Sequence, residues 1–205
     1  TKQEGDTSGA FTANWNSVSG ATGYVSDVAK NRNFTQILSS YNNHSVGNVT
    51  SYKVEGNEIS PDVTYYYRVR AVNDKGQSLS SNRIATDLPI WIKNALNETD
   101  YDKISYDAEA NTVTVKSDIT LKETLVIPEQ DTTTIDLEGN NILAPEGKSA
   151  ISAGGNDTKL SIVSTGEKGS IKANGTDSDG NGIAAIDFSN ANGESTISVS
   201  NNDVI

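Results

Sequence analysis

The sequence predicts an all-β protein built of two modules, and three observations carry that expectation. Short stretches of period-two alternation recur along most of the 205 residues, separated by Gly, Asn, Pro and Ser clusters, which is the pattern of strands joined by tight turns. One segment alone, Pro89 to Leu96, is a candidate for a short helix. Charge then divides the chain: residues 1–88 carry eight Lys/Arg and eight Asp/Glu, whereas 89–205 carry eight Lys and nineteen Asp/Glu.

In the first module, 1–88, the clearest strand runs Thr64-Tyr65-Tyr66-Tyr67-Arg68-Val69-Arg70-Ala71-Val72. Its alternation puts Tyr65, Tyr67, Val69 and Ala71 on a core face and Tyr66, Arg68 and Arg70 on a wet one. The turn Asn73-Asp74-Lys75-Gly76 comes next, and Ser80 to Ala85 is expected to return as a partner strand. Upstream, Phe11-Thr12-Ala13-Asn14-Trp15 and Gly20-Ala21-Thr22-Gly23-Tyr24-Val25 read as two more strands with the turn between them. Taken in order with Ile59-Ser60-Pro61-Asp62-Val63-Thr64-Tyr65, these pieces resemble the fibronectin type III family over about 75 residues. The resemblance implies a β-sandwich with Trp15 buried on its second strand and Tyr65 as the tyrosine of the corner motif. The loop from Asn73 to Gln77 has no Arg-Gly-Asp, so the integrin-binding use of some members is not implied. A spacer role is expected, with Tyr24, Tyr41 and Tyr52 as exposed side chains for any ligand.

The junction, 89–107, is too apolar for a free linker and too short for a stable lone helix. It is expected to form a helical or irregular cap over the first coil of the second module, anchored by Trp91. From 108 to 205 the strands Thr112 to Val115, Ile119 to Leu121 and Leu125 to Ile127 lead into self-similar units. Thr134 to Ile142 aligns without a gap on Thr196 to Val204, with Lys159 to Val163 between them, giving intervals of 25 and 37 residues. Each interval contains three short strands. Three strands per coil resemble the right-handed parallel β-helix, a resemblance that implies aliphatic columns inside and Asn ladders at the corners, with Asn140 and Asn202 as candidates. A second β-sandwich is the alternative. The chain is expected to be a piece of a longer precursor, with a truncated β-helix whose open end at Ile205 could pair with a second molecule.

Composition limits the function. No cysteine means no disulfide, thiolate metal site or cysteine nucleophile, and no run of about 18 apolar residues marks a membrane span. A net charge of −11, all from the second part, disfavours nucleic acid and anionic lipid as partners. The lone histidine, His44, sits in an exposed-looking loop and is a poor basis for a catalytic triad or a zinc site. No arginine occurs after Arg83, which weakens a lyase reading. The sharpest local feature is Asp177-Ser178-Asp179-Gly180-Asn181-Gly182, which sets oxygen ligands at alternate positions before a glycine, as calcium loops do. Asp177, Asp179 and Asn181 are therefore the candidate calcium ligands, although the twelfth position, a bidentate Glu in an EF-hand, is Phe188. No catalytic residue and no certain cofactor is expected.

The functional expectation is a non-enzymatic fragment of a bacterial cell-surface or secreted protein. It would serve in adhesion by binding polysaccharide or another surface protein, and is expected to be extracellular. The alternative is the accessory N-terminal part of a β-helical polysaccharide lyase or glycoside hydrolase.

Overall fold

The computed structural model describes residues 8–129, 132–176, 179–189, 191 and 193–199. The chain divides into two compact units, Thr1–Asp87 and Leu88–Ile205, and both are predominantly β.

The first unit holds β1 (Phe11–Asn14), β2 (Gly23–Ala29), β3 (His44–Gly47), β4 (Ser51–Val54), β5 (Tyr66–Asn73), β6 (Gly76–Gln77) and β7 (Ile84–Ala85). β1 pairs antiparallel with β4, and a second antiparallel sheet runs β3-β2-β5-β6 with β7 also on β5. Phe11, Ala13 and Val54 of the first sheet share one core with Tyr24, Val28, Tyr67 and Val69 of the second. Phe11 takes the aromatic place expected of Trp15: it is buried and stacks on Tyr65 at 6.0 Å, while Trp15 is only half-buried beyond the end of β1. Tyr65 is 0% exposed, and its phenol donates to the Glu58 carbonyl and accepts from the Ser60 N–H, both at 3.0 Å. One side chain thereby satisfies two backbone groups that the turn into β5 would otherwise leave unpaired.

The outer face of β5 is not wet. Tyr66 is buried, and Asp27, 2% exposed on the neighbouring β2, accepts from Arg68 at 2.8 Å and Arg70 at 2.9 Å. The Asn43 N–H adds a bond to the same carboxylate at 2.7 Å, and the Arg68 guanidinium lies 4.3 Å from the Phe34 ring centroid. Residues 30–43, with Phe34 at φ 55°, supply this cover, so charged side chains at alternate positions mark a covered ion cluster and not a solvated face.

The second unit opens with α1 (Ile90–Ala95) and a 3₁₀ segment, Glu98–Lys103. Its strands are β8 (Ile104–Asp107), β9 (Thr112–Val115), β10 (Ile119–Thr120), β11 (Leu125–Ile127), β12 (Thr132–Asp136), β13 (Asn141–Leu143), β14 (Ile151–Ala153), β15 (Lys159–Val163), β16 (Ser170–Lys172), β17 (Ile186–Asp187) and β18 (Thr196–Val199). Three sheets result, in the orders β18-β15-β12-β9-β8, β10-β13-β16 and β11-β14-β17. Every described pair is parallel and in register except β8 with β9, which is an antiparallel hairpin. From β9 onward the chain visits the three sheets in turn and returns to the first, so each circuit lays one strand on each sheet.

The circuits stack like on like. Val113, Ile135, Ile162 and Val199 form one column in the first sheet, and Ile119, Ile142 and Ile171 another in the second. Leu125, Ile151 and Ile186 form the third. Short strands with aliphatic residues at alternate positions dictate this, because each inward side chain can leave water only by meeting the equivalent side chain of the next circuit. Gly169 marks a close approach between circuits: a Cβ there would lie 2.5 Å from the Asn140 carbonyl oxygen and 2.6 Å from the Leu137 Cβ.

Two details depart from the sequence reading. Ile135 is matched with Val199, not Ile197, so the ungapped alignment of 134–142 on 196–204 is two residues out of register. The first interval is 27 residues, from Thr132 to Lys159, and the second is 37, from Lys159 to Thr196. Asn141, more than Asn140, builds the corner ladder: its N–H and Nδ2 donate to Asp118, and its Oδ1 accepts from the Ser170 hydroxyl. Asn140 instead reaches the Val115 carbonyl one circuit below, at 2.8 Å. Asn202 and Ile205 lie outside the described residues.

At the start of the unit, Ile92, Ala95 and Leu96 are fully buried in the core beside β11, and the Ala95 carbonyl accepts the Lys122 N–H at 2.9 Å. A six-residue helix has no stability of its own, so this packing holds it. Trp91, the expected anchor, is half-buried and meets Tyr106 edge-on at 6.4 Å, leaving Ile92 as the deeper contact.

Candidate functional site

Three places gather candidate side chains. The first is the outer face of the five-stranded sheet. Thr112, Thr134, Ser161 and Ser198 stand in one register column, each half-buried or exposed. Adjacent parallel strands place these hydroxyls about 4.8 Å apart. Beside them run Thr114, Asp136 and Val163 on one flank, and Thr132, Lys159 and Thr196 on the other. Asp136 ties two circuits together, accepting from the Thr165 hydroxyl at 2.5 Å, the Thr165 N–H at 2.9 Å and the Glu138 N–H at 3.1 Å. Partial burial works to raise this carboxyl, but the three hydrogen bonds outweigh it and hold it below the ordinary carboxylate range.

The second place is the acidic turn. Asp177 lies outside the described residues. Asp179 and Asn181 are both exposed, in a turn closed by an antiparallel bridge between Thr176 and Gly182. Phe188 is half-buried against the core, and Asp187 accepts the Ser189 N–H at 2.9 Å. Ser189 hydrogen bonds lower the Asp187 pKa, so this carboxylate already has local partners. Among the described residues, no three His, Cys, Asp or Glu side chains gather as a metal site would need.

The third place is the first unit. His44 does not sit in an exposed loop: it opens β3, half-buried between the rings of Tyr41 at 5.2 Å and Tyr52 at 5.3 Å, with Nε2 3.1 Å from the Tyr52 hydroxyl. Tyr24 and Tyr41, expected to be exposed, are core residues, at 3% and 6% exposure. The Tyr24 hydroxyl accepts the Val18 N–H at 2.8 Å, and the Tyr41 hydroxyl bridges the N–H and carbonyl of Glu55. What sequence reading missed is a groove of about 530 Å³ between Trp15 and residues 78–82. Its signal was present but indirect, in the serine-rich run after β6 where a regular strand was expected.

No protein-family model matches the chain, and no curated protein matches it either. Among solved structures, pectate lyase Pel3 from Pectobacterium carotovorum is similar over 97% of this chain and 67% of that chain, with 13% sequence identity and a TM-score of 0.33. That score is too low to support an argument about activity.

Proposed function

We propose that this chain is a non-catalytic adhesion fragment of a bacterial cell-surface or secreted protein. In this reading the first unit is a fibronectin type III-like sandwich that serves as spacer, and the second is the first part of a right-handed parallel β-helix. The β-helix wall is the face that meets a polysaccharide or a neighbouring surface protein.

The observation that carries the proposal is the hydroxyl column of Thr112, Thr134, Ser161 and Ser198. A regular row of short donors and acceptors, held rigid by in-register parallel strands, suits a partner that is itself repetitive. It loses little side-chain entropy on binding. The sandwich assignment is supported by the Tyr65 bonds to Glu58 and Ser60, and the β-helix assignment by the cyclic order of the three parallel sheets. The non-catalytic reading is supported by His44, whose ring is held between Tyr41 and Tyr52 with Nε2 turned to a phenol and not to a serine nucleophile. An extracellular setting belongs to this proposal, and the net charge of −11 suits it by keeping the chain soluble.

The test is co-sedimentation of the chain with insoluble polysaccharides and with intact bacterial cells. Retention should fall several-fold in Thr134→Lys/Ser161→Lys and stay unchanged in Val49→Lys, an exposed position in the other unit. Equal retention of all three proteins would overturn the wall as the binding face. Release of unsaturated or reducing sugars from any of the polysaccharides would overturn the non-catalytic reading.

A further inference from the structure

The groove on the first unit is made by an irregularity in strand pairing. Between β6 and β7 the chain does not run as a strand alongside β5. Ser78 and Ser81 each serve β5 twice: their N–H groups donate to the Ala71 and Val69 carbonyls at 2.9 and 2.8 Å, and their hydroxyls accept the Ala71 and Val69 N–H groups at 3.0 Å. Each hydroxyl then donates to the carbonyl of the next residue, Leu79 or Asn82, at 2.7 and 2.8 Å. A serine oxygen thus stands where a strand would put a main-chain carbonyl, and because Leu79 and Ser80 together stand opposite the single residue Arg70, the segment bulges between its two serine anchors. The backbone of β5 stays satisfied, and a cleft opens between this segment and Trp15.

The lining of the cleft is selective. None of its described residues is charged, although 21% of the chain is. The floor is Val69 and Ala71, and the rim carries the amides and hydroxyls of Asn14, Asn16, Ser80 and Asn82, all exposed, together with the exposed aliphatic side chains of Val18 and Leu79. Of the aromatics, Tyr24 and Tyr67 are buried, and both phenols are bonded to backbone. Trp15 is the one aromatic in the lining that keeps an accessible surface; it is backed by Tyr24 at 5.6 Å and 55°. Its Nε1 finds no acceptor among the described residues, an unusual state for an indole donor screened from water.

We infer that this groove binds a neutral saccharide, with the Trp15 ring as the stacking platform and the Asn and Ser rim as hydrogen-bonding partners of the sugar hydroxyls. A single rigid aromatic surface, with uncharged amides and hydroxyls beside it and the aliphatic Val18 and Leu79 extending its apolar area, matches a sugar ring, which is apolar on its faces and polar at its edge. A proline-rich peptide would instead need two or more aromatic ridges presented together. The lining lies wholly in the first unit, so the inference stands independently of the wall of the second.

The test uses the full chain carrying Trp91→Phe, so that Trp15 is the sole tryptophan reporter, titrated by fluorescence with cello-, xylo- and manno-oligosaccharides. Hexagalacturonate and decaproline serve as competitors of other chemistry. A saturable change with at least one neutral oligosaccharide is expected. Its affinity, read by calorimetry, should fall about tenfold or more in Trp15→Ala and about threefold in Asn82→Ala, and be largely retained in Trp15→Phe, which also controls for folding. No saturation by any neutral oligosaccharide at about 10 mM would overturn the inference, as would equal affinity in Trp15→Ala or a preference for the acidic sugar or the peptide.

Discussion

Ile135 on β12 and Ile162 on β15 are register partners on adjacent parallel strands, and both are completely buried. Each is packed above and below by its own equivalents, so neither can be shortened without leaving a gap that the other circuits are too rigidly stacked to close. Ile162→Ala should cost about 2–5 kcal/mol of stability. Urea unfolding followed by circular dichroism would measure it, and Thr134→Ala on the opposite face of the sheet should change stability by less than about 0.5 kcal/mol.

Asp27 is the carboxylate that Arg68 and Arg70 share on the outer face of the first unit's larger sheet. Removing it leaves two guanidinium groups in a covered site and strands the Asn43 N–H. Asp27→Ala should therefore destabilise the first unit by about 3 kcal/mol. Replacing Arg68, which keeps some exposure, should cost less, because Arg70 still pairs with the carboxylate. A denaturation series on the two variants distinguishes these outcomes, and equal losses would contradict the geometry.

The Tyr65 hydroxyl serves both Glu58 and Ser60 from inside the core. Tyr65→Phe keeps the ring against Phe11 and deletes only the oxygen. The expected loss is about 1–3 kcal/mol, since two hydrogen bonds of about 0.5–1.5 kcal/mol each are lost while packing is unchanged. A thermal melt of Tyr65→Phe that matches the unaltered protein would show that the corner bonds contribute nothing net.

Glu58 gives the first unit an acid-sensitive contact. Hydrogen bonds from the Ser40 hydroxyl and N–H, joined by those from Ser39, lower its carboxyl to about 2. A carboxyl lowered on folding contributes stability above its unfolded pKa of about 4.3 and loses it as pH falls towards the folded value. Unfolding midpoints should therefore decline between about pH 4.3 and pH 2, and the slope should be shallower in Glu58→Gln. Parallel pH profiles for the two proteins would rule out this contact as a source of acid sensitivity.

Much of the second unit was legible because its strands are short and uniformly aliphatic on one side. Thr112–Val115, Leu125–Ile127, Asn141–Leu143 and Ser170–Lys172 fall where alternation places them. Register was less legible for a physical reason: shifting a strand by two residues returns the same side chains to the same face, so pairing Ile135 with Ile197 or with Val199 looks equally good in sequence. The hairpin strand Ile104–Asp107 was hidden in the junction, although its Ile and Tyr alternate and Asn111, at φ 53°, supplies a turn residue. In the first unit, alternation could not distinguish a charged face open to water from one covered by residues 30–43. Nor could it show that the run from Ser78 to Ser81 would bulge between two serine anchors and leave Trp15 bordering a cleft. These outcomes depend on segments distant in sequence, and their chemistry is spread over serine hydroxyls that no short motif marks.

The antiparallel hairpin of β8 on β9, together with α1 beside β11, gives the coiled unit a direction. A further parallel circuit needs a template of strands running the same way, and β8 runs against it. At that end the first sheet finishes in a strand that reverses direction, and α1 packs against β11 of another sheet, so the aliphatic columns that begin there are screened from water by residues of the same chain.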